Sequence, residues 1–151
     1  MNNKFKIFLS DGITGLSTKE CKDWREYISS YFLNYYESKC EVVNPMRHFD
    51  PNKETSNSLE KEAMIYDTYH LRTSNIVIVC LNKLDSIGTA QELMLAYELH
   101  IPIIGFIEEN KKNKIHPWMQ TEVTKLFTYN KDMYNAIQDT IDYVYNYYLN
   151  P

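Results

Sequence analysis

The sequence predicts an α/β fold in which a parallel β-sheet is covered by helices on both faces. Short β-rich apolar runs alternate along the chain with longer amphipathic segments, which is the order of repeated strand–helix units. Two of the runs, residues 75–81 and 101–107, are almost continuously apolar. Strands of that kind are expected where both faces of a sheet are buried.

The bounds of the elements follow from this alternation. The predicted strands cover residues 5–9, 40–43, 75–81, 101–107 and 123–127. The predicted helices cover residues 18–38, 58–73, 88–100 and 132–149. A short additional helix is expected to open at Pro117, because proline is favoured in a first helical turn. The last helix carries one apolar stripe, formed by Met133, Ile137, Ile141, Val144 and Tyr148.

Five strand–helix units predict a flavodoxin-like three-layer sandwich with strand order 2-1-3-4-5, and 151 residues are enough for a single domain over residues 1–151. In that order the chain reverses direction between strands one and three. Ligands bind where the loops after these two strands part, at the carboxyl edge of the sheet. Those loops are residues 10–17 and 82–88, and functional residues are expected there.

Composition and charge narrow the classes of function. The net charge of −4 gives no electrostatic reason to expect a nucleic acid polymer as partner, although one phosphate can bind locally. The sequence has neither a membrane-spanning apolar run nor a signal peptide pattern, so we expect a cytoplasmic protein without membrane contact. Cys21, Cys40 and Cys80 show no ligand spacing with one another or with the four histidines. We therefore expect free thiols and no metal site.

The second loop leads into a helix with a candidate nucleophile. Ser86 or Thr89 can cap this helix, Gly88 permits a tight turn, and Glu92 is expected in the first helical turn. The helix dipole would favour an ionised carboxylate there, and an ionised carboxylate is what attack on a sugar C1′ needs. The same spacing also fits a capping box, in which the glutamate only stabilises the helix end.

A second carboxylate lies on the predicted inward face of the helix before strand three. That face carries Leu59, Ala63, Asp67, His70 and Leu71. A carboxylate on a buried face costs free energy unless it is hydrogen-bonded or used in chemistry. Asp67 is therefore either a structural hydrogen-bonding group or part of a site.

The first loop contains two glycines beside an aspartate. Gly12 and Gly15 would let the backbone approach a ligand closely, and successive amides next to Asp11 could line an anion site. Residues 14–17, Thr-Gly-Leu-Ser, are similar to the phosphate loop of flavodoxins. An FMN-binding module is therefore one alternative, and an ordinary turn that caps the next helix is another.

Together these segments resemble the nucleoside 2-deoxyribosyltransferase family. The resemblance rests on residues 6–15, 43–47, 67–81 and 86–92, followed by Ala96-Tyr97, in the expected order. It implies a flavodoxin-like subunit that works in a homodimer or larger homo-oligomer, with no cofactor. The tyrosines of the last helix fit such an assembly, since they are too many for one buried face. Residues 148–151 do not match the tail that completes a neighbouring site in some members.

The resemblance also implies roles for individual residues. Glu92 matches the nucleophilic glutamate of the family, and Asp67 matches its upstream aspartate, associated with the active site. The loop with Asp11, Gly12 and Gly15 matches the one that flanks the sugar. The implied substrates are a deoxynucleoside or deoxynucleotide and a free nucleobase, which accepts the sugar from a covalent deoxyribosyl-enzyme.

A related branch, the deoxynucleoside 5′-monophosphate N-hydrolases, passes the same intermediate to water. In that branch a serine two residues before the glycine helps to bind the 5′-phosphate, and Ser86 matches it. Ser86, Gly88 and Thr89 are therefore the expected substrate-binding residues of the second loop. A TIR-like NAD-cleaving domain, which also combines this fold with a catalytic glutamate, is a further alternative.

Overall fold

The structure, a computed structural model, describes residues 3–11, 18–45 and 57–151, with only the backbone described at 18–22 and 57–60. Its strands are β1 (Phe5–Ser10), β2 (Cys40–Val43), β3 (Ile76–Cys80), β4 (Ile103–Glu108) and β5 (Lys125–Tyr129). They form one sheet in the order β2-β1-β3-β4-β5, and every neighbouring pair is parallel. The predicted flavodoxin-like order is confirmed.

Each described helix except the last, which follows β5, connects consecutive strands, as a parallel sheet requires. They are α1 (Thr18–Tyr36), α2 (Asn57–Arg72), α3 (Ile87–Glu98), α4 (Pro117–Glu122) and α5 (Met133–Val144). A 3₁₀ helix covers Glu109–Lys114, and a π-helical turn, Tyr145–Leu149, continues α5. The short helix begins with proline at its first position, as predicted. No helix in the described ranges is long and apolar enough to cross a bilayer.

Two hydrophobic clusters, one on each face of the sheet, form the core. The β1 side chains alternate between them because successive residues of a strand point to opposite faces. Leu9 lies in the cluster with α1 and α5, and Phe8 lies in the cluster with α3 and α4. Every residue of β3 is buried, which confirms that the central strand is covered on both faces.

The inward face of α2 is shorter than predicted. Leu71 is fully buried, and Asp67 and His70 are partly buried, but Ala63 is exposed. All of residues 61–65 are exposed. The reason is that only the C-terminal half of the described part of α2 packs on the core, so helical spacing alone overestimates the buried face.

Each of the four tyrosines near the C-terminus contacts another aromatic ring of the chain. The pairs are Tyr143 with Phe127, Tyr145 with Tyr36, and Tyr148 with Phe5. Tyr147 contacts the ring of Tyr143, with 4.6 Å between the ring centres, but remains 66% exposed. Intramolecular packing therefore accounts for most of this aromatic segment.

Two of the three thiols are described, and both are free and buried, as expected. Burial raises the pKa of Cys40 to about 11. The pKa of Cys80, at the end of β3, is raised further, first by burial and then by the negative charge of Asp11. Both side chains are therefore uncharged at neutral pH.

The end of α3 is closed by a residue in the left-handed region. His100 has a φ of 58°, and its amide donates to the carbonyl of Tyr97 while the amide of Ile101 donates to that of Ala96. This pair of bonds is the Schellman arrangement, in which the left-handed position favours glycine. A side chain with a Cβ at position 100 is therefore mildly strained.

We predict that His100→Gly raises the free energy of unfolding by about 0.5 to 1 kcal/mol, because it relieves that strain. Leu99, with a φ of −88°, is the matched control. Leu99→Gly should lower the stability, because it only adds conformational freedom to the unfolded chain. Urea denaturation of the two variants measures both effects, and a less stable His100→Gly protein would contradict the prediction.

Candidate active site

Side chains from β1, α1, α2 and α3 converge where the first and third strands end. Ser10, the last residue of β1, pairs in register with Val79 of β3. The loop after β3 leads directly to α3, which carries Glu92. The order of the strands thus brings a residue of the first strand to the helix after the third.

The start of α3 differs from the sequence expectation. Ser86 is the N-cap, and its hydroxyl oxygen accepts a hydrogen bond from the amide of Thr89 at 3.3 Å. Thr89 is therefore the third residue of the helix, and Glu92 is the sixth. The prediction that Glu92 lies in the first turn is wrong, because the helix begins at Ile87, before Gly88. The capping-box alternative also fails, since it needs a glutamate at the third position.

Glu92 is partly buried and hydrogen-bonded to the end of β1. The Ser10 hydroxyl donates to its Oε2 at 2.5 Å. Burial raises the pKa of Glu92 from an ordinary value near 4.5 to about 7, and the Ser10 hydrogen bond opposes this rise. The sequence expectation that the helix dipole would favour the ionised form is therefore wrong. The dipole acts mainly within the first turn, whereas Glu92 lies in the second, where loss of water dominates.

Asp67 lies close to Glu92. Its side chain is partly buried on α2, and its negative charge is one of the causes that raise the pKa of Glu92. The structure thus brings together the two carboxyl groups that were singled out in the sequence, although they are 25 positions apart. A like charge nearby disfavours the ionised form of Glu92.

Asp11 lies beside Glu92 but is bonded to α1. Its carboxylate Oδ2 accepts from the indole Nε1 of Trp24 at 2.9 Å, and its carbonyl accepts from Nη2 of Arg25 at 3.2 Å. The Arg25 guanidinium is 1% exposed and lies 5.4 Å from the centre of the Trp24 ring. Arg25 lowers the pKa of Glu92, and Asp11 raises it. A buried pair of opposite charges therefore lies beside the candidate nucleophile.

Arg25, Trp24 and Ser10 were not identified as site residues from the sequence. A signal for Arg25 was present, because α1 buries Trp24, Ile28 and Phe32 at helical spacing and Arg25 falls on the same stripe. The argument that singled out Asp67 applies equally to this arginine. Ser10 begins the loop of residues 10–17 in which functional residues were expected, but nothing in the sequence distinguishes it from the other polar residues there, since serine is common in turns.

The remaining predicted residues of the second loop surround the start of α3. Ser86 is partly buried, and Thr89 is 2% exposed and accepts a hydrogen bond from the Ser86 hydroxyl at 2.9 Å. Gly88 is exposed, and a Cβ added there would meet no atom within 4 Å. Packing therefore does not require glycine at position 88.

The predicted Gly12 and Gly15 lie in a part of the chain that the structure does not describe. The same holds for residues 14–17, on which the flavodoxin-type alternative depends. Lys83, a cation of the second loop, is paired with Asp85 at 3.0 Å. Among the described residues, no three His, Cys, Asp or Glu side chains are arranged to hold a metal ion.

No protein-family model matches the sequence, and no curated protein matches it either. Solved structures are similar in fold. A 2-deoxyribosyltransferase from Bacillus psychrosaccharolyticus is 20% identical, with a TM-score of 0.60 over 86% of this chain and 88% of that one. A CMP N-glycosidase from Clostridium botulinum is also 20% identical, with a TM-score of 0.56 over 91% of this chain and 98% of that one.

A conserved protein from Enterococcus faecalis V583 is 12% identical, with a TM-score of 0.63 over 91% of this chain and 99% of that one. Identities this low establish a shared fold. The similar structures include an enzyme with the activity of the family that the sequence resembles. The chain therefore has the fold of a 2-deoxyribosyltransferase and of a CMP N-glycosidase.

Proposed function

We propose that the protein is a nucleoside 2-deoxyribosyltransferase in which Glu92 is the nucleophile. The observation that carries the proposal is a partly buried carboxyl group at the junction of β1 and β3, bonded to Ser10 and close to the carboxyl group of Asp67. The fold shared with a 2-deoxyribosyltransferase supports it.

The proposed reaction has two steps. A carboxylate oxygen of Glu92 attacks C1′, the bond from C1′ to the base nitrogen breaks, and the electron pair leaves with the base. Asp67 is the group that we assign to protonate the departing base. A second nucleobase then attacks C1′ from the face that the first one left and gives its ring N–H proton to Asp67, which releases Glu92 as the carboxylate and retains the configuration. A 2-deoxy sugar suits this route, because it lacks the electron-withdrawing 2′-hydroxyl.

The second candidate is hydrolysis of a deoxynucleoside 5′-monophosphate, in which water takes the place of the second base. Two observations favour it. A CMP N-glycosidase shares the fold over 91% of this chain, and the open space beside Gly88, in the first turn of α3, leaves room for a phosphate at a helix N-terminus. The ion pair between Lys83 and Asp85 argues against a phosphorylated substrate, because it neutralises a positive charge that could otherwise attract the phosphate.

We also propose that the protein works as a homo-oligomer. Tyr35, Trp118 and Tyr147 are each more than 60% exposed. Large aromatic side chains are favoured at subunit interfaces, and this supports an assembly of copies of the chain.

We predict that Glu92→Gln lowers kcat at least about 1,000-fold, because the amide cannot act as the nucleophile. The assay is chromatography of the protein with a deoxynucleoside, with and without a second free base, and then with a deoxynucleoside monophosphate. Base exchange identifies the transferase, and free base without an acceptor identifies the hydrolase.

Glu122→Gln is the matched control for that experiment. Glu122 is 7% exposed, and burial raises its pKa as well, but it lies on α4 and is not among the groups that act on Glu92. Its substitution should leave kcat within a few-fold of the original. Full turnover by Glu92→Gln would rule out the assigned nucleophile.

Glu92→Gln should also stabilise the protein in a pH-dependent way. Because the folded-state pKa of Glu92 is raised, ionisation of this group favours the unfolded state as the pH rises from about 4.5 to 7. We expect the variant to gain about 2 to 3 kcal/mol of unfolding free energy over the original protein at pH 8, and almost nothing at pH 4. Denaturant titrations at the two pH values measure the gain, and an equal effect at both would contradict the assigned pKa.

The substrate-binding role of Gly88 can be tested without loss of stability. Gly88→Ala adds a methyl group that meets no neighbour and should raise the free energy of unfolding by up to about 1 kcal/mol, because alanine is the better helix former. If the substrate approaches this backbone, KM should rise about tenfold or more while the fold is strengthened. Calorimetry and steady-state kinetics measure the two effects, and an unchanged KM would remove Gly88 from the site.

A further inference from the structure

We propose that Ser10 is a positioning residue that holds the Glu92 carboxylate for attack, and that the contacts of Asp11 with α1 fix Ser10 in place. We call these contacts, made by Trp24 and Arg25 to Asp11, the β1 clamp. The inference rests on the proposed function of Glu92 and assigns a role to residues that act through Glu92.

Strand geometry explains why the consecutive residues Ser10 and Asp11 contact different helices. Side chains along β1 alternate between the two faces of the sheet, with Phe8 on the α3 side and Leu9 on the α1 side. Ser10 continues this alternation and reaches Glu92 on α3, whereas Asp11 reaches Trp24 and Arg25 on α1. The end of β1 is therefore held between helices on opposite faces.

The clamp is well suited to fix the backbone at this point. Trp24 and Arg25 are each 1% exposed, and Asp11 is 9% exposed. One bond goes to the carboxylate of Asp11 and the other to its carbonyl, so both the side chain and the main chain of this residue are held. Breaking contacts of a buried charge is costly, and the neighbouring Ser10 therefore has little freedom to move.

The bond from Ser10 acts directly on the proposed nucleophile. The hydroxyl donates to Oε2 at 2.5 Å, which engages one oxygen and restricts rotation of the carboxylate, so that attack falls to the other oxygen. Donation to the charged form also favours ionisation. Three charged groups also change the pKa of Glu92, namely Asp67 on α2, Arg25 on α1 and Asp11 after β1. Ser10 differs from them because it is neutral and bonded to the carboxylate itself.

The test is Ser10→Ala, which removes only the hydroxyl. The pKa of Glu92 is followed without substrate by ¹³C NMR of glutamate carboxyl carbons, with Glu92→Gln identifying the signal. We expect the titration midpoint to rise by about one unit from its value near 7. The acid limb of the kcat profile should move by the same amount. At high pH, where Glu92 is ionised in both proteins, kcat should remain about tenfold lower with KM unchanged, because the carboxylate is no longer held.

Two further variants serve as controls. Ser29, buried at 9% exposure on α1, is not among the groups that act on Glu92, so Ser29→Ala should match the original protein in both measurements. Ser10→Thr keeps a hydroxyl and should restore most of the midpoint and of the high-pH kcat. A Ser10→Ala protein that titrates and turns over like Ser29→Ala would overturn the positioning role.

The design separates this inference from the proposed function. If the original protein cleaves no deoxynucleoside but the Glu92 midpoint still rises in Ser10→Ala, the proposed function fails and the hold of Ser10 on Glu92 is supported. If turnover depends on Glu92 but the midpoint and kcat are the same in Ser10→Ala, the function stands and the role of Ser10 is rejected.

Discussion

The partial burial of one carboxyl group at the carboxyl edge of the sheet organises this region of the molecule. Removing a carboxylate from water costs free energy, and the pKa of Glu92 near 7 expresses that cost. The Ser10 hydroxyl and the Arg25 guanidinium offset part of it, whereas Asp67 and Asp11 add to it. A neutral glutamine of the same shape would avoid this electrostatic cost, which supports the proposal that the Glu92 carboxyl group has a chemical role.

The fold could be predicted from the sequence because parallel sheets leave a clear pattern. Residues 75–81 are apolar almost throughout, and the strand found there is buried along its whole length. Alternation of such runs with amphipathic segments leaves few topologies open. The bounds were less accurate, and β5 begins two residues later than expected, since strand ends depend on pairing with a neighbour rather than on the local sequence.

The candidate site was predictable only in part. Asp67 was visible because it is a carboxylate on a predicted buried face, and Glu92 because residues 86–92 resemble the motif that carries the nucleophile of the family. The position of Glu92 within the helix could not be predicted, because Ser86 and Thr89 could each cap α3. The structure shows that Ser86 is the N-cap. The links between Ser10, Arg25 and their partners depend on how separate helices pack on the sheet. The packing of the helices against the sheet cannot be inferred from the local pattern of a single sequence.

The thiol at the end of β3 has a consequence for the chemistry nearby. Cys80 lies 4% exposed next to the charges of Asp11 and Arg25, in a region where a reactive sulfur could compete with an oxygen nucleophile. Burial and the aspartate keep its proton in place, and a thiol without a negative charge is a poor nucleophile and is slow to oxidise. Cys80 can therefore lie beside these charges without competing with an oxygen nucleophile.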